Sequence, residues 1–148
     1  MSVKDINNTD ELLKTINSMI KNEVTIGVHG DVGSDIFDRA TWNEFGTHDK
    51  KGKVLIPERS FIRACFDSEK ADINRDMEKI AERVVAGQMK VKTGLNLLGD
   101  ATKGRVQEYA IRLSTPANKY STIKKKGSSN PLVDTGQMIG SIDYKVKG

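Results

Sequence analysis

At 148 residues the chain has the length of one domain around one core, with little room for a second. Its 36% hydrophobic and 30% charged residues leave few apolar side chains to offset the entropy lost on folding, so part of the chain is expected to order only against a partner. The formal charge of +4, from 24 basic and 20 acidic residues, permits nucleic-acid proximity without requiring it, and no apolar run approaches the roughly 20 residues of a membrane span.

The N-terminus, Met1 to Asn8, is polar with both charge signs, unlike a signal peptide, which predicts a protein kept in a cytosol-like compartment. Asn8-Thr9-Asp10-Glu11 places a capping side chain three residues before a glutamate. Leu12, Leu13, Ile16, Met19 and Ile20 then recur at helical spacing, predicting an amphipathic helix that ends near Asn22. From Glu23 to Gly30 the period switches to two, with Val24, Ile26 and Val28 on one face of a strand. A turn-rich break at Gly30 to Asp35 precedes a short helix over Ile36 to Phe45, closed by Gly46.

Val54-Leu55-Ile56 reads as a brief strand stopped by Pro57. Helical spacing returns at Ser60: Phe61, Ile62, Cys65 and Phe66 share a face, and after a kink near Asp67-Ser68 the pattern continues through Ile73, Met77, Ile80, Ala81, Val84 and Val85. Gly94 suits a bend or a new helix start. Leu95, Leu97, Leu98, Ala101, Val106, Tyr109, Ala110 and Leu113 then carry the pattern to Pro116, where helix must stop or kink. Gly99 and Gly104 weaken that helix by about 1 kcal/mol each unless close packing explains them.

Thr115 to Asn130 is the least hydrophobic stretch and reads as a long loop carrying Lys119, Lys124, Lys125 and Lys126. A short helical turn at Gln137 to Gly140 follows, and Ile142, Tyr144 and Val146 alternate as a closing strand. The layout is α+β: a small, mostly antiparallel sheet of three or four strands against two or three helices, with long loops, in a single domain over residues 1–148.

Chemistry is sparse. His29 and His48 have no ligand or catalytic partner at a recognised spacing, so no catalytic residue, metal or cofactor is expected. Gly27, Gly30 and Gly33 follow a strand but meet neither the dinucleotide nor the Walker spacing, and Asp31 would repel phosphate. The lone Cys65 reads as a packed thiol. The adjacent lysines 124–126 would attract a polyanion by counterion release, though without an aromatic platform for bases; Tyr120 is the nearest ring.

Three segments carry a resemblance: Ala40-Thr41-Trp42-Asn43-Glu44-Phe45-Gly46-Thr47, then Ile56-Pro57-Glu58-Arg59-Ser60-Phe61-Ile62-Arg63, then Asn130-Pro131-Leu132-Val133-Asp134-Thr135-Gly136-Gln137-Met138 with Ser141-Ile142. In this order, with helices between the second and third, they resemble the neck and tail-completion proteins of tailed bacteriophages, over most of the chain. Ser60 stands where that family often has proline, and the chain stops soon after Val146.

The resemblance implies a non-enzymatic virion protein at the neck or head-proximal tail end, present in the host cytoplasm during assembly. It would form a ring of six or twelve copies around a DNA channel, beside adjacent connector and tail proteins. A tail terminator capping the tail tube fits equally, and a small basic nucleic-acid-binding module is the reading from another class. Glu44, Arg59, Arg63 and Asp134 become candidate interface residues. Lys119, Lys124, Lys125 and Lys126 become candidates for a channel or docking loop, and His48 to Lys53 for a second docking arm. Trp42, Phe45, Phe61, Leu132 and Ile142 are expected in the core, with Arg59 and Arg63 reaching carboxylates and Asp134 or Thr135 capping the turn before Met138.

Overall fold

The computed structural model describes residues 9–127, 129–132 and 136–148. Helix α1 (Thr9–Lys21) has Asp10 and Glu11 in its first turn and Lys21 in its last, charges that complement the helix dipole. Strand β1 (Glu23–Val28) follows, then a single 3-10 turn and α2 (Ser34–Phe45). Gly46, at a φ of 70°, ends α2; a Cβ there would meet the Glu58 backbone nitrogen at 3.0 Å, so glycine is required where the two chain segments cross. A short ribbon of β2 (Thr47–His48) and β3 (Val54–Ile56) leads into α3 (Phe61–Val85) and α4 (Val91–Arg112).

The two long helices are joined by five residues and pack side by side, the expected result of a short connection. Close approach is possible because Gly94 is buried against α3, where a Cβ would come within 2.6 Å of Ile80 Cγ2. Gly99 has the same purpose on the opposite contact: a Cβ there would collide with the Tyr144 ring of β4 (Ile142–Lys147). Strand β4 pairs antiparallel with β1, from Glu23 opposite Lys147 to Val28 opposite Ile142, and this ladder lies on α4. Gly104 has no such neighbour.

The core joins Ala40, Phe61, Cys65, Val106, Ala110, Leu132, Met138, Ile139 and Ile142, so all three sequence segments of the resemblance meet in one cluster. Full burial of a side chain such as Phe61 contributes on the order of 1.5–3 kcal/mol. The fold is α+β, as the periodicities predict.

Several expectations need correction. The four described strands form two separate two-stranded ladders rather than one sheet, and His48, the first residue of the expected docking arm, lies in β2. Helix α3 runs unbroken through Asp67-Ser68, where Ser68 Oγ donates to the Cys65 carbonyl at 3.1 Å. The stretch from Thr115 to Asn130 is not all loop: it contains α5 (Tyr120–Lys126), closed by Gly127 in the left-handed conformation. Trp42 and Phe45 are exposed, whereas Phe61, Leu132 and Ile142 are buried as expected. The turn before Met138 is α6 (Gln137–Gly140), preceded by Gly136 at a φ of 75°; the expected capping residues Asp134 and Thr135 lie outside the described residues.

Candidate functional site

Glu44 sits in the last turn of α2 and is only 4% exposed. Its carboxylate faces the first turn of α3, whose amides have no partner within their own helix. Oε2 accepts the Ile62 N–H at 2.9 Å and Oε1 the Arg63 N–H at 3.0 Å, while Ser60 Oγ donates to Oε1 at 3.2 Å. Glu44 thus caps a helix that begins seventeen residues later in the chain. The negative charge also meets the positive end of the α3 dipole.

Arg63 closes the cluster. Its Nε donates to Glu44 Oε1 at 3.0 Å, and its Nη2 donates both to the Glu44 carbonyl at 2.7 Å and to Glu58 Oε1 at 2.9 Å. The hydrogen bond it donates to the Glu44 carboxylate raises the guanidinium's pKa above its usual value. The same guanidinium lies 4.7 Å from the Phe45 ring centroid, which gives that exposed ring a cation in place of a core position.

Arg59, only 5% exposed, works in the other direction. Its backbone N–H donates to the Asn43 carbonyl at 2.6 Å, and its guanidinium reaches the Pro116 carbonyl at 2.8 Å, Asn118 Oδ1 at 3.1 Å, and the Ala117 carbonyl and Asn43 Oδ1 at 3.4 Å. The expected carboxylate is absent: among the described residues Arg59 makes no ion pair, and carbonyl and amide oxygens hold the charge instead. Desolvation lowers its pKa, yet a guanidinium stays protonated in proteins. Arg59 therefore ties the start of α3 to the segment that follows α4.

Of the four candidate interface residues, Glu44, Arg59 and Arg63 come together in this cluster, and Asp134 lies outside the described residues. Glu44 and Arg59 direct their polar atoms within the chain, so they position the surfaces around them rather than offering one to a neighbour. Arg63 remains half exposed.

The basic residues are on a separate feature. Lys119 precedes α5, and Lys124 and Lys125 are exposed on it together with Tyr120. Lys126 ends the helix.

His29 is less isolated than its sequence spacing suggests. It lines a polar cleft with Asp31, Lys103, Gln107, Asp143 and Lys145, and its Nε2 is buried without a partner among the described residues. Both aspartates are paired to lysines, Asp31 to Lys145 at 2.8 Å and Asp143 to Lys103 at 3.4 Å. The Lys145 hydrogen bond lowers the Asp31 pKa, and the Tyr144 backbone amide, followed by Lys103, lowers that of Asp143. Among the described residues no group of three His, Cys, Asp or Glu side chains could hold a metal ion.

Cys65 is buried in the core. Burial, reinforced by the Glu69 carboxylate, pushes its thiol up to about 11, the opposite of an activated nucleophile. Comparison of the chain with family models, curated proteins and solved structures finds no match.

Proposed function

We propose that this chain is a non-enzymatic structural subunit of a tailed-bacteriophage particle, placed at the neck or the head-proximal tail end. In this reading it assembles as a homo-oligomeric ring around the DNA channel, against adjacent connector and tail proteins. The observation that carries the reading is the order of the three motif segments, supported by their convergence. The first two form one hydrogen-bonded unit through Glu44, Arg59 and Arg63, and all three supply residues to one core. Motif residues used to brace a fold suit a protein whose task is to present surfaces. The exposed Lys119, Lys124 and Lys125 fit a lumen that passes DNA without reading sequence.

The test is the mass of the purified protein in solution across a concentration series, with and without extract from assembling particles. A ring, formed alone or induced by extract, is the expected result. A persistent monomer that binds duplex DNA would overturn the reading in favour of a small basic nucleic-acid-binding module.

A further inference from the structure

Among the described residues, two of the uncovered apolar surfaces have opposite shapes. The first is the β2–β3 ribbon. Val54 and Leu55 are 47% and 56% exposed, and consecutive strand residues point to opposite faces, so neither face of the ribbon is covered at this place. A two-stranded ribbon is marginal by itself in water. This one is nevertheless held in shape: Asp49 Oδ1 accepts the N–H groups of Lys51 and Lys53, and the Asp49 N–H donates to the Lys53 carbonyl at 2.9 Å. Its tip exposes Lys50, Lys51 and Lys53, and Trp42 and Phe45 of the preceding helix α2 are also exposed.

The second surface is a cleft of about 520 Å³ bounded by α1, β1, α3 and α4. Its walls are largely aliphatic, including Ile73, Ile80, Leu95 and Leu98, and Phe66 and Met77 on its α3 wall are left exposed. The charged side chains lining it, Glu23 and Glu78, are both acidic, and Glu23 also faces Lys147 at 3.7 Å in an exposed pair. A pre-shaped apolar ribbon with a basic tip thus coexists with an apolar cleft carrying acidic groups.

We infer that the β2–β3 ribbon of one copy docks into the α1–α3–α4 cleft of a second copy, with Leu55 entering the cleft and the Lys50–Lys53 tip facing Glu23 and Glu78. The occupant is a second copy because both complementary halves are on this chain, and Leu55 is not seated in its own cleft. Such a contact joins two different surfaces, so each copy can both give and receive an arm, which is the geometry that closes into a ring. The ordered turn lowers the entropy lost on docking. This inference rests on the ring reading above and specifies its interface.

The experiment mixes two full-length variants, Leu55→Cys and Met77→Cys, under mild oxidation, and follows assembly mass in parallel for the wild type and Leu55→Asp. Both positions are exposed, so neither change disturbs the core, and the native Cys65 is buried. The expected result is a mixed disulfide formed at least tenfold faster than either variant cross-links alone, with self-association of Leu55→Asp weakened at least tenfold. A ring that forms without the mixed disulfide, or one that Leu55→Asp leaves intact, overturns this interface and leaves the ring reading standing. A wild-type chain that stays monomeric at every concentration, with or without assembly extract, overturns both.

Discussion

Replacing Glu44 by alanine tests whether the motif cluster is a brace. The change removes an acceptor for the Ile62 and Arg63 amides and leaves the first turn of α3 without its cap. Loss of a helix cap costs about 1 kcal/mol. A part-buried amide left without a partner adds about 1–3 kcal/mol. The Arg63–Glu44 ion pair adds nothing to this sum, because Arg63 is half exposed and retains Glu58 and water. The expected loss is therefore about 2–4 kcal/mol, a large share of the roughly 5–15 kcal/mol typical of a domain. In thermal unfolding it appears as a fall in Tm of roughly 5–15 °C. Urea unfolding should show a lower midpoint at unchanged slope, since the surface exposed on unfolding is nearly the same. Glu44→Gln keeps one carbonyl oxygen and should fall between the wild type and alanine. A Glu44→Ala protein within about 0.5 kcal/mol of the wild type would refute the bracing argument, as that is the scale of an ordinary surface change.

Other positions respond in predictable directions. Gly99→Ala should destabilise by about 1–3 kcal/mol, because the new methyl meets the Tyr144 ring, whereas Gly104→Ala, with open space around it, should stabilise by up to about 1 kcal/mol; paired urea curves compare the two. Arg59→Ala should release the segment after α4, detected as faster proteolysis between Leu113 and Lys119. Arg59→Lys should not rescue it, since one ammonium cannot reach the oxygens that the guanidinium spans. With the Cys65 thiol raised from 9.0 to about 11, the folded state holds its proton more tightly than the unfolded chain. That contribution is full below pH 9 and lost as pH rises towards 11, so Cys65→Ala should flatten the alkaline part of the stability profile relative to the wild type.

Local pattern made much of this fold legible. The helical spacings of Leu12 to Ile20 and of Leu95 to Leu113 correspond to α1 and α4, and the alternation of Val24, Ile26 and Val28 corresponds to β1. Long-range pairing had no such signal: β1 joins β4 across nearly the whole chain, and the central ribbon stays separate from that ladder. Capping rules examine residues beside a helix start, whereas the cap of α3 comes from Glu44, at the end of another helix. Arg59 and Arg63 stood out as recognition side chains, but the sequence could not tell that backbone carbonyls of the segment after α4 hold Arg59. Helix α5 was obscured by its lysines, which look like a solvated run; the sign of its end was Gly127, suited to a left-handed cap. Aromatic side chains carry the largest hydrophobic burial, which favours a core position for Trp42 and Phe45, yet both are exposed on α2.

The most direct test of the central claim is electron microscopy of the purified full-length protein, alone and after exposure to assembly extract, with averaged end-on views. The account predicts closed rings of one rotational symmetry with a central opening. Separate monomers, or open filaments with no closed form, under both conditions would contradict it.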